Sequence, residues 1–123
     1  MSGKGVAVVV TFQSHMPRAL LIAARQPEFT RLLEEAGFDV ELRSRPLDGR
    51  VPAADVAIVF RGRLIGRAQA QRVAETGIPV AEVLTSPPTS PSTRTWIKLS
   101  NRIAKPDLVQ VVLALASPGQ AAE

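Results

Sequence analysis

The chain has 123 residues, of which 46% are hydrophobic and 21% are charged, a composition typical of one folded domain and not of a disordered chain. It contains no cysteine and one histidine, which excludes disulfides, cysteine nucleophiles, thiolate zinc sites and multi-histidine metal sites. The formal net charge is +4, and residues 56–106 hold eight basic residues against two acids. This half of the chain is expected either to attract anions or to carry solvated arginines on an otherwise neutral fold.

The sequence predicts neither a membrane span nor an export signal. Apolar runs such as residues 6–10 are far too short to cross a bilayer. Lys4 is followed by neither a long apolar region nor a small-residue cleavage site. We therefore expect a cytoplasmic protein with no direct membrane insertion.

The first half of the chain predicts two strands on either side of a helix. The apolar run 19–24 is typical of a strand, and Pro27 fits the first turn of a helix that ends at Gly37. Alternating residue types over residues 39–43 predict a second strand. Two prolines and a glycine make residues 45–53 a loop. The residues expected on the buried side of the helix are Phe29, Leu32, Leu33 and Ala36.

The middle of the chain predicts another strand, a helix and a further strand. Residues 56–60 (VAIVF) form the continuous apolar run of a strand that is covered on both faces. A helix is expected over residues 65–76, with Gly77 ending it, and a strand over residues 78–84. Residues 85–95 contain three prolines, and their other side chains are all polar or charged, which indicates an irregular loop. The helix residues expected to point inward are Ile65, Ala68 and Val73.

The last part of the chain is less regular. Half of residues 96–104 is compatible with a helix, and a short strand is expected at residues 102–104. A final helix is expected over residues 106–116, with one apolar side, and residues 117–123 are expected to be a linker or tail. The alternation of strands and helices implies a parallel sheet covered by helices. The apolar side of the last helix consists of Leu108, Val111, Val112 and Leu115.

An ordered set of segments carries a family resemblance. These are LLIAARQPEFTRLLEEAGFDVEL (20–42), ADVAIVFRGRL (54–64), GIPVAEVLTS (77–86) and the pair Lys105-Pro106. Together they resemble a response-regulator receiver domain over residues 20–116, and the domain is expected to span residues 16–116. The resemblance implies an α/β, flavodoxin-like (CheY-like) fold with a parallel five-stranded sheet. Thr85 and Lys105 match residues that receivers keep, and the short, proline-containing loop after the second strand implies a reduced second-helix region.

The chain departs from the receiver pattern at the phosphorylation site. Receivers bind Mg²⁺ through acidic residues at the end of the first strand, where this chain has Ala24 and Arg25. Phe60 falls at the position of the phosphoacceptor aspartate. Mg²⁺ requires oxygen ligands, and phosphoryl transfer requires a nucleophile together with charge neutralisation. We therefore expect a pseudo-receiver with no metal, no catalytic residues and no enzymatic activity of its own.

The two ends of the chain suggest a larger parent protein. GKGVAVVVTF (3–12) resembles the last strand of a histidine-kinase ATP-binding domain. That strand followed by a receiver is the layout of a hybrid sensor histidine kinase, so residues 1–15 are expected to be the end of the kinase domain or a linker. The alternative is a cloning remnant, because FQSHM (12–16) resembles a protease-site scar.

The stretch after the fourth strand is the best candidate for a binding site. Residues 85–105 contain four basic residues, several hydroxyls and the only tryptophan of the chain. Arginine forks bind phosphates in bidentate fashion, and an indole can either stack on a base or pack against the core. The resemblance implies cyclic di-GMP as a ligand that relieves kinase autoinhibition, since some degenerate receivers of hybrid kinases bind it. The predicted ligand-binding residues are Pro87, Ser92, Arg94, Trp96, Lys98 and Arg102, with Thr85 and Lys105 as receiver relics.

A protein-interaction module without a small ligand is the alternative function. Its partner would be the histidine-kinase core or a second receiver domain. DNA binding is not expected, because no segment resembles a recognition helix.

Overall fold

The computed structural model describes residues 16–89 and 91–116. The predictions for residues 1–15 and 117–123 lie outside the described residues. The described part of the chain contains five strands and three helices. The strands are β1 (Arg18–Ile22), β2 (Asp39–Arg43), β3 (Val56–Phe60), β4 (Val80–Leu84) and β5 (Trp96–Ser100), and the helices are α1 (Pro27–Glu35), α2 (Arg67–Ala74) and α3 (Lys105–Ala116).

All five strands are parallel and form one sheet in the order β2-β1-β3-β4-β5. This is the flavodoxin-like order, in which the direction of chain progression reverses between β1 and β3. The predicted fold class is therefore confirmed. Because the strands are parallel, all of their carboxyl ends lie at the same edge of the sheet.

The helices cover the two faces of the sheet unequally. On the first face, α1 and α3 pack their apolar sides against alternate residues of the strands, with Phe29, Leu33, Leu108 and Val112 fully buried. On the opposite face, α2 supplies Ala70 and Val73. We refer to these as the α1/α3 face and the α2 face. The apolar cluster on the α2 face is therefore covered by one helix, whereas the cluster on the α1/α3 face is covered by two.

A loop takes the place of a helix between β2 and β3. Leu47 is only 7% exposed and packs into the α2-face core. Its backbone N–H donates to Oε1 of Gln69 at 2.7 Å, and its carbonyl accepts from Nη1 of Arg72 at 2.9 Å. The loop is thus held on α2 by two hydrogen bonds as well as by apolar contact, and the predicted reduction of this region is confirmed.

The predicted helices are present, with differences in which residues face the core. Phe29 and Leu33 of α1 are buried, whereas Leu32 is half-buried and Ala36, just past the helix, is exposed. In α2 the inward alanine is Ala70 and not Ala68. Ala68 lies five positions before Val73, which places the two on different sides of a helix, whereas Ala70 lies three positions before it. In α3 the fourth buried residue is Val109, and Val111 is half-buried.

Both predicted helix stops are correct. Gly37 and Gly77 have φ of 105° and 93°, values that glycine adopts without the steric cost that a Cβ would add. Each follows its helix within one turn, as expected of a glycine at the C-terminal end.

The prediction of a short strand at residues 102–104, after a possible helix, is wrong. The strand is β5, which starts six residues before the predicted one and pairs in register with β4 from Val80↔Trp96 to Leu84↔Ser100. A turn follows at residues 101–102. The apolar residues Ile97 and Leu99 alternate with Trp96 and Lys98 and pack on the α1/α3 face, which is the period-2 pattern of a strand.

The outer edge of β5 is partly covered by the loop that precedes it. The N–H of Thr93 donates to the carbonyl of Trp96 at 2.9 Å, and the N–H of Lys98 donates to Oγ of Ser92 at 2.9 Å. Two of the outward backbone groups of this edge strand are therefore paired within the chain.

Among the described residues, none of the helices combines the length and apolar character that crossing a bilayer requires.

Candidate functional site

Two neighbouring cavities open near the carboxyl ends of the strands. The larger has a volume of about 430 Å³, and we call it the carboxyl-edge cavity. The smaller has a volume of about 230 Å³; we call it the cationic cavity, because Arg61, Arg67 and Lys98 line it. Arg61 and Thr85 line both cavities.

The carboxyl-edge cavity lies where the resemblance to receivers places the phosphorylation site. Ala24, Phe60, Thr85 and Lys105 all line it. The ring of Phe60 also meets that of Phe29 edge-on, with centroids 5.6 Å apart. The fold therefore brings together Ala24, one of the two residues that the resemblance matched to the metal site, with the residues matched to the phosphoacceptor and to the Thr and Lys of receivers.

This cavity offers no carboxylate to a metal ion. Neither Asp nor Glu is among its lining residues. Within residues 16–89 and 91–116, no cluster of three or more His, Asp or Glu side chains is placed to hold a metal. The residues that line the cavity thus supply neither a carboxylate ligand for Mg²⁺ nor an aspartate as phosphoacceptor.

The cationic cavity lies between the end of β4, the loop after it and the first residue of α2. Three hydroxyl-bearing residues line it beside the three cations, and Glu82 is its single acid. The hydroxyl-bearing residues are Thr85, Ser86 and Thr89.

Glu82 is a buried carboxylate at the centre of a three-residue network. It lies on β4, faces the α2 side of the sheet and is 1% exposed. Its Oε2 accepts from Nη1 of Arg61 at 2.8 Å, and its Oε1 accepts from Nε1 of Trp96 at 2.9 Å. No buried side-chain nitrogen or oxygen in the described part of the chain lacks a partner. The negative charge of Glu82 is therefore matched by Arg61, which leaves Arg67 and Lys98 as the cations of the cavity without a carboxylate partner among the described residues.

Trp96 is held on both its nitrogen and one ring face. It is half-buried and packs against the α2-face core. The ammonium of Lys98 lies 4.7 Å from the ring centroid and also donates to the carbonyl of Pro91 at 2.9 Å. A cation over an indole face is itself a favourable contact. A purine could stack on that face of Trp96 only after the lysine moved away.

The predicted ligand-binding residues are not all brought together. Pro87 and Lys98 line the cationic cavity with Thr85. Ser92 instead supports the edge of β5. Arg94 and Arg102 are both exposed and lie before and after β5, near its opposite ends, and neither lines the cationic cavity.

Sequence reasoning did not single out Arg61, Arg67 and Glu82 as a group. Glu82 interrupts the apolar run of β4 (VAEVL), and an acid inside such a run is a signal for a buried, paired carboxylate. Its partner lies 21 residues away, and only the pairing register of β3 with β4 places the two side chains on the same face.

No protein-family model matches the chain, and a search of curated proteins finds no match either.

Proposed function

We propose that this chain is a cytoplasmic, receiver-like regulatory domain of a hybrid histidine kinase that acts without being phosphorylated. In this proposal it responds by binding an anionic nucleotide second messenger, with cyclic di-GMP favoured, at the cationic cavity. The observation that carries the proposal is the charge of that cavity. Arg67 and Lys98 face it with no carboxylate partner among the described residues, while Glu82 is already paired with Arg61.

The absence of carboxylates in the carboxyl-edge cavity supports the first part of this proposal. A receiver switches when a metal-assisted phosphoryl group arrives at the end of the third strand. Here that strand ends in Phe60, beside Ala24. A domain with this pocket would have to switch by binding.

The size of the cationic cavity limits how much of a nucleotide it would enclose. At about 230 Å³ it lies below the roughly 300–1,000 Å³ of most small-molecule sites. It would therefore hold a phosphate and part of a sugar, with Arg67 and Lys98 as phosphate ligands and Ser86 and Thr89 as further donors. The bases would lie outside it, along the loop of residues 85–95.

Binding of a phosphate would also alter Trp96. Lys98 now places its ammonium over the indole ring, and a phosphate in the cavity would compete for that ammonium. Release of Lys98 would expose one ring face, either to a base of the ligand or to a partner domain. This gives the proposal a spectroscopic readout, because Trp96 is the only tryptophan of the chain.

The test is a titration of the full chain with cyclic di-GMP, in which binding is measured by calorimetry and by Trp96 fluorescence. We expect saturable binding that weakens at least tenfold in R67Q and in K98Q. R45Q and R50Q are matched controls on exposed arginines outside the cavity and outside the loop of residues 85–95, and they are expected to change the affinity less than twofold. Absence of both heat and fluorescence change at high micromolar ligand would overturn the proposal, as would equal losses in the controls.

The alternative, a protein-interaction module, is favoured by one feature of β2. This strand is at the other edge of the sheet, and Leu42 on it is 43% exposed. If a kinase core or second receiver domain docks there, L42K is expected to weaken the binding of that partner and to leave nucleotide binding unchanged. Capture of the kinase core by the wild-type chain, lost in L42K but retained in R67Q, would favour this function over the first.

A further inference from the structure

The carboxyl-edge cavity has a lining that the proposed function does not use. We propose that it binds a small amphipathic organic anion, a carboxylate or related monoanion attached to a two-ring apolar body. This inference does not rest on the nucleotide site, because it concerns the other cavity and another ligand class.

Position and size both suit a small-molecule site. The cavity is bordered by the ends of β1 and β3, and this is the point at which ligands of open parallel sheets bind, where the strand order reverses. Its volume of about 430 Å³ lies within the range of about 300–1,000 Å³ that is usual for such sites.

One wall of the cavity is apolar. Phe60, Ile65 and Val83 contribute to it, together with Leu64. Leu64 is 70% exposed, the most exposed large apolar side chain among the described residues. It lies on the short loop between β3 and α2, which is closed by a hydrogen bond from the N–H of Gly62 to the carbonyl of Ile65 at 2.9 Å. An apolar ligand body would cover Leu64 and the exposed part of Phe60.

All of the charged residues in the lining are positive. Arg63 and Lys105 join Arg61 there, and no acid is among the lining residues. Two acids lie in the neighbouring first helical turns, Glu28 in α1 and Asp107 in α3, but both are exposed and neither lines the cavity. The charge of the wall therefore favours an anion.

The location of Lys105 strengthens this inference. It is the first residue of α3, where a cation opposes the helix dipole. Helix stability thus gives no reason for a lysine at this position, whereas an anion between Lys105 and Arg63 would supply one.

The combination of walls selects the ligand class. An inorganic anion would leave the apolar wall uncovered, and a neutral aromatic molecule would leave Arg63 and Lys105 without a counter-charge. A divalent cation would find no carboxylate. A molecule with an apolar body and an anionic group is complementary to both walls.

The experiment uses the full chain and three probes: naphthalene-2-carboxylate, its neutral amide, and acetate. Binding is followed through the backbone amide signals by NMR. We expect saturable shifts with naphthalene-2-carboxylate at Gly62, Thr85 and Asn101, which line the cavity. The neutral amide is expected to bind at least tenfold more weakly, and acetate is expected not to saturate.

Variants separate the contributions of the two walls. The double variant R63Q/K105Q is expected to bind naphthalene-2-carboxylate at least tenfold more weakly, and L64S several-fold more weakly. R50Q and L42S are matched controls, because they remove an exposed arginine and an exposed leucine outside the cavity, and they are expected to retain wild-type affinity.

Three results would overturn the inference: equal binding of the carboxylate and the amide, shifts that do not map to the cavity, or equal losses in the control variants. The variant R67Q distinguishes failure of this inference from failure of the proposed function. Arg67 lines only the cationic cavity of the two, so R67Q is expected to lose cyclic di-GMP and to keep naphthalene-2-carboxylate.

Discussion

Trp96 donates a hydrogen bond from its indole nitrogen to Glu82, a buried carboxylate on the neighbouring strand. Arg61, just after β3, donates to the other oxygen of the same carboxylate. A single side chain on β4 thereby links the end of β3 to the start of β5. The network lies on the α2 face of the sheet, where Trp96 packs against the apolar cluster.

We expect removal of Glu82 to destabilise the fold. In E82A, Arg61 and the Trp96 nitrogen would both lose their partner, and breaking a buried pair from one side costs about 3–5 kcal/mol. Because Arg61 is about one-third exposed and can reach water, we expect a loss below this range, about 2–3 kcal/mol. Urea unfolding followed by circular dichroism measures it.

The control for this prediction is E35A. Glu35 pairs with Arg31 across one helical turn at 3.9 Å, and both side chains are mostly exposed. Such pairs contribute about 0–1 kcal/mol. If E82A and E35A change the free energy of unfolding equally, the network does not stabilise the sheet.

The loop between β2 and β3 is expected to act as part of the core. In L47A a nearly buried side chain is removed, and we expect a loss of about 2–3 kcal/mol, the lower part of the usual range because a loop can relax. L64A is the matched control, since Leu64 is 70% exposed; there we expect about 0.5 kcal/mol or less. Thermal unfolding of the two variants compares them, and a similar midpoint for both would show that the loop is not anchored.

The end of α2 depends on a backbone conformation that suits glycine. Gly77 has φ of 93° with open space around it, so G77A introduces backbone strain without a steric clash. We expect a loss of about 1–2 kcal/mol. In G62A, where φ is not positive and no atom crowds the new methyl group, we expect a change within about 1 kcal/mol, in either direction. Chemical denaturation checks both, and equal effects would contradict the prediction.

The carboxyl-edge cavity is expected not to accept a phosphoryl group. With acetyl phosphate and Mg²⁺, we expect no labelling of the natural chain. F60D is also expected to stay unlabelled, because Ala24 and Arg25 still offer no carboxylate to the metal. Intact-mass spectrometry measures incorporation, with a competent receiver domain as the positive control. Stoichiometric, Mg²⁺-dependent labelling of the natural chain would contradict the proposed function.

The central strands could be predicted from sequence because burial on both faces leaves a continuous apolar run. β3 and β4 are buried along most of their length, and both were located within two residues. β5 was not, because it is an edge strand in which every residue is half-buried. Its polar and apolar residues alternate over only five positions, too few to separate a strand from half a helix.

The candidate sites were only partly predictable for a related reason. Residue types showed that the second half of the chain is basic, and the receiver resemblance aligned Ala24 and Phe60 with one cavity. Which cations share a cavity depends on register: Val59 pairs with Glu82, and this places Arg61, two residues further on, beside the same carboxylate. Arg94 and Arg102 are close in sequence but lie at opposite ends of β5, which local composition does not reveal.

The hydrogen bonds that Ser92 and Thr93 make to β5 also bear on self-association. Within the described residues, they leave the two borders of the sheet unequal, since β2 has no corresponding cover. Two copies that joined through β2 would be related by a two-fold axis. In each copy, β5 with its covering loop would then form the outer edge of the combined sheet. Growth by strand addition would then stop at a pair, so this asymmetry opposes open-ended fibres.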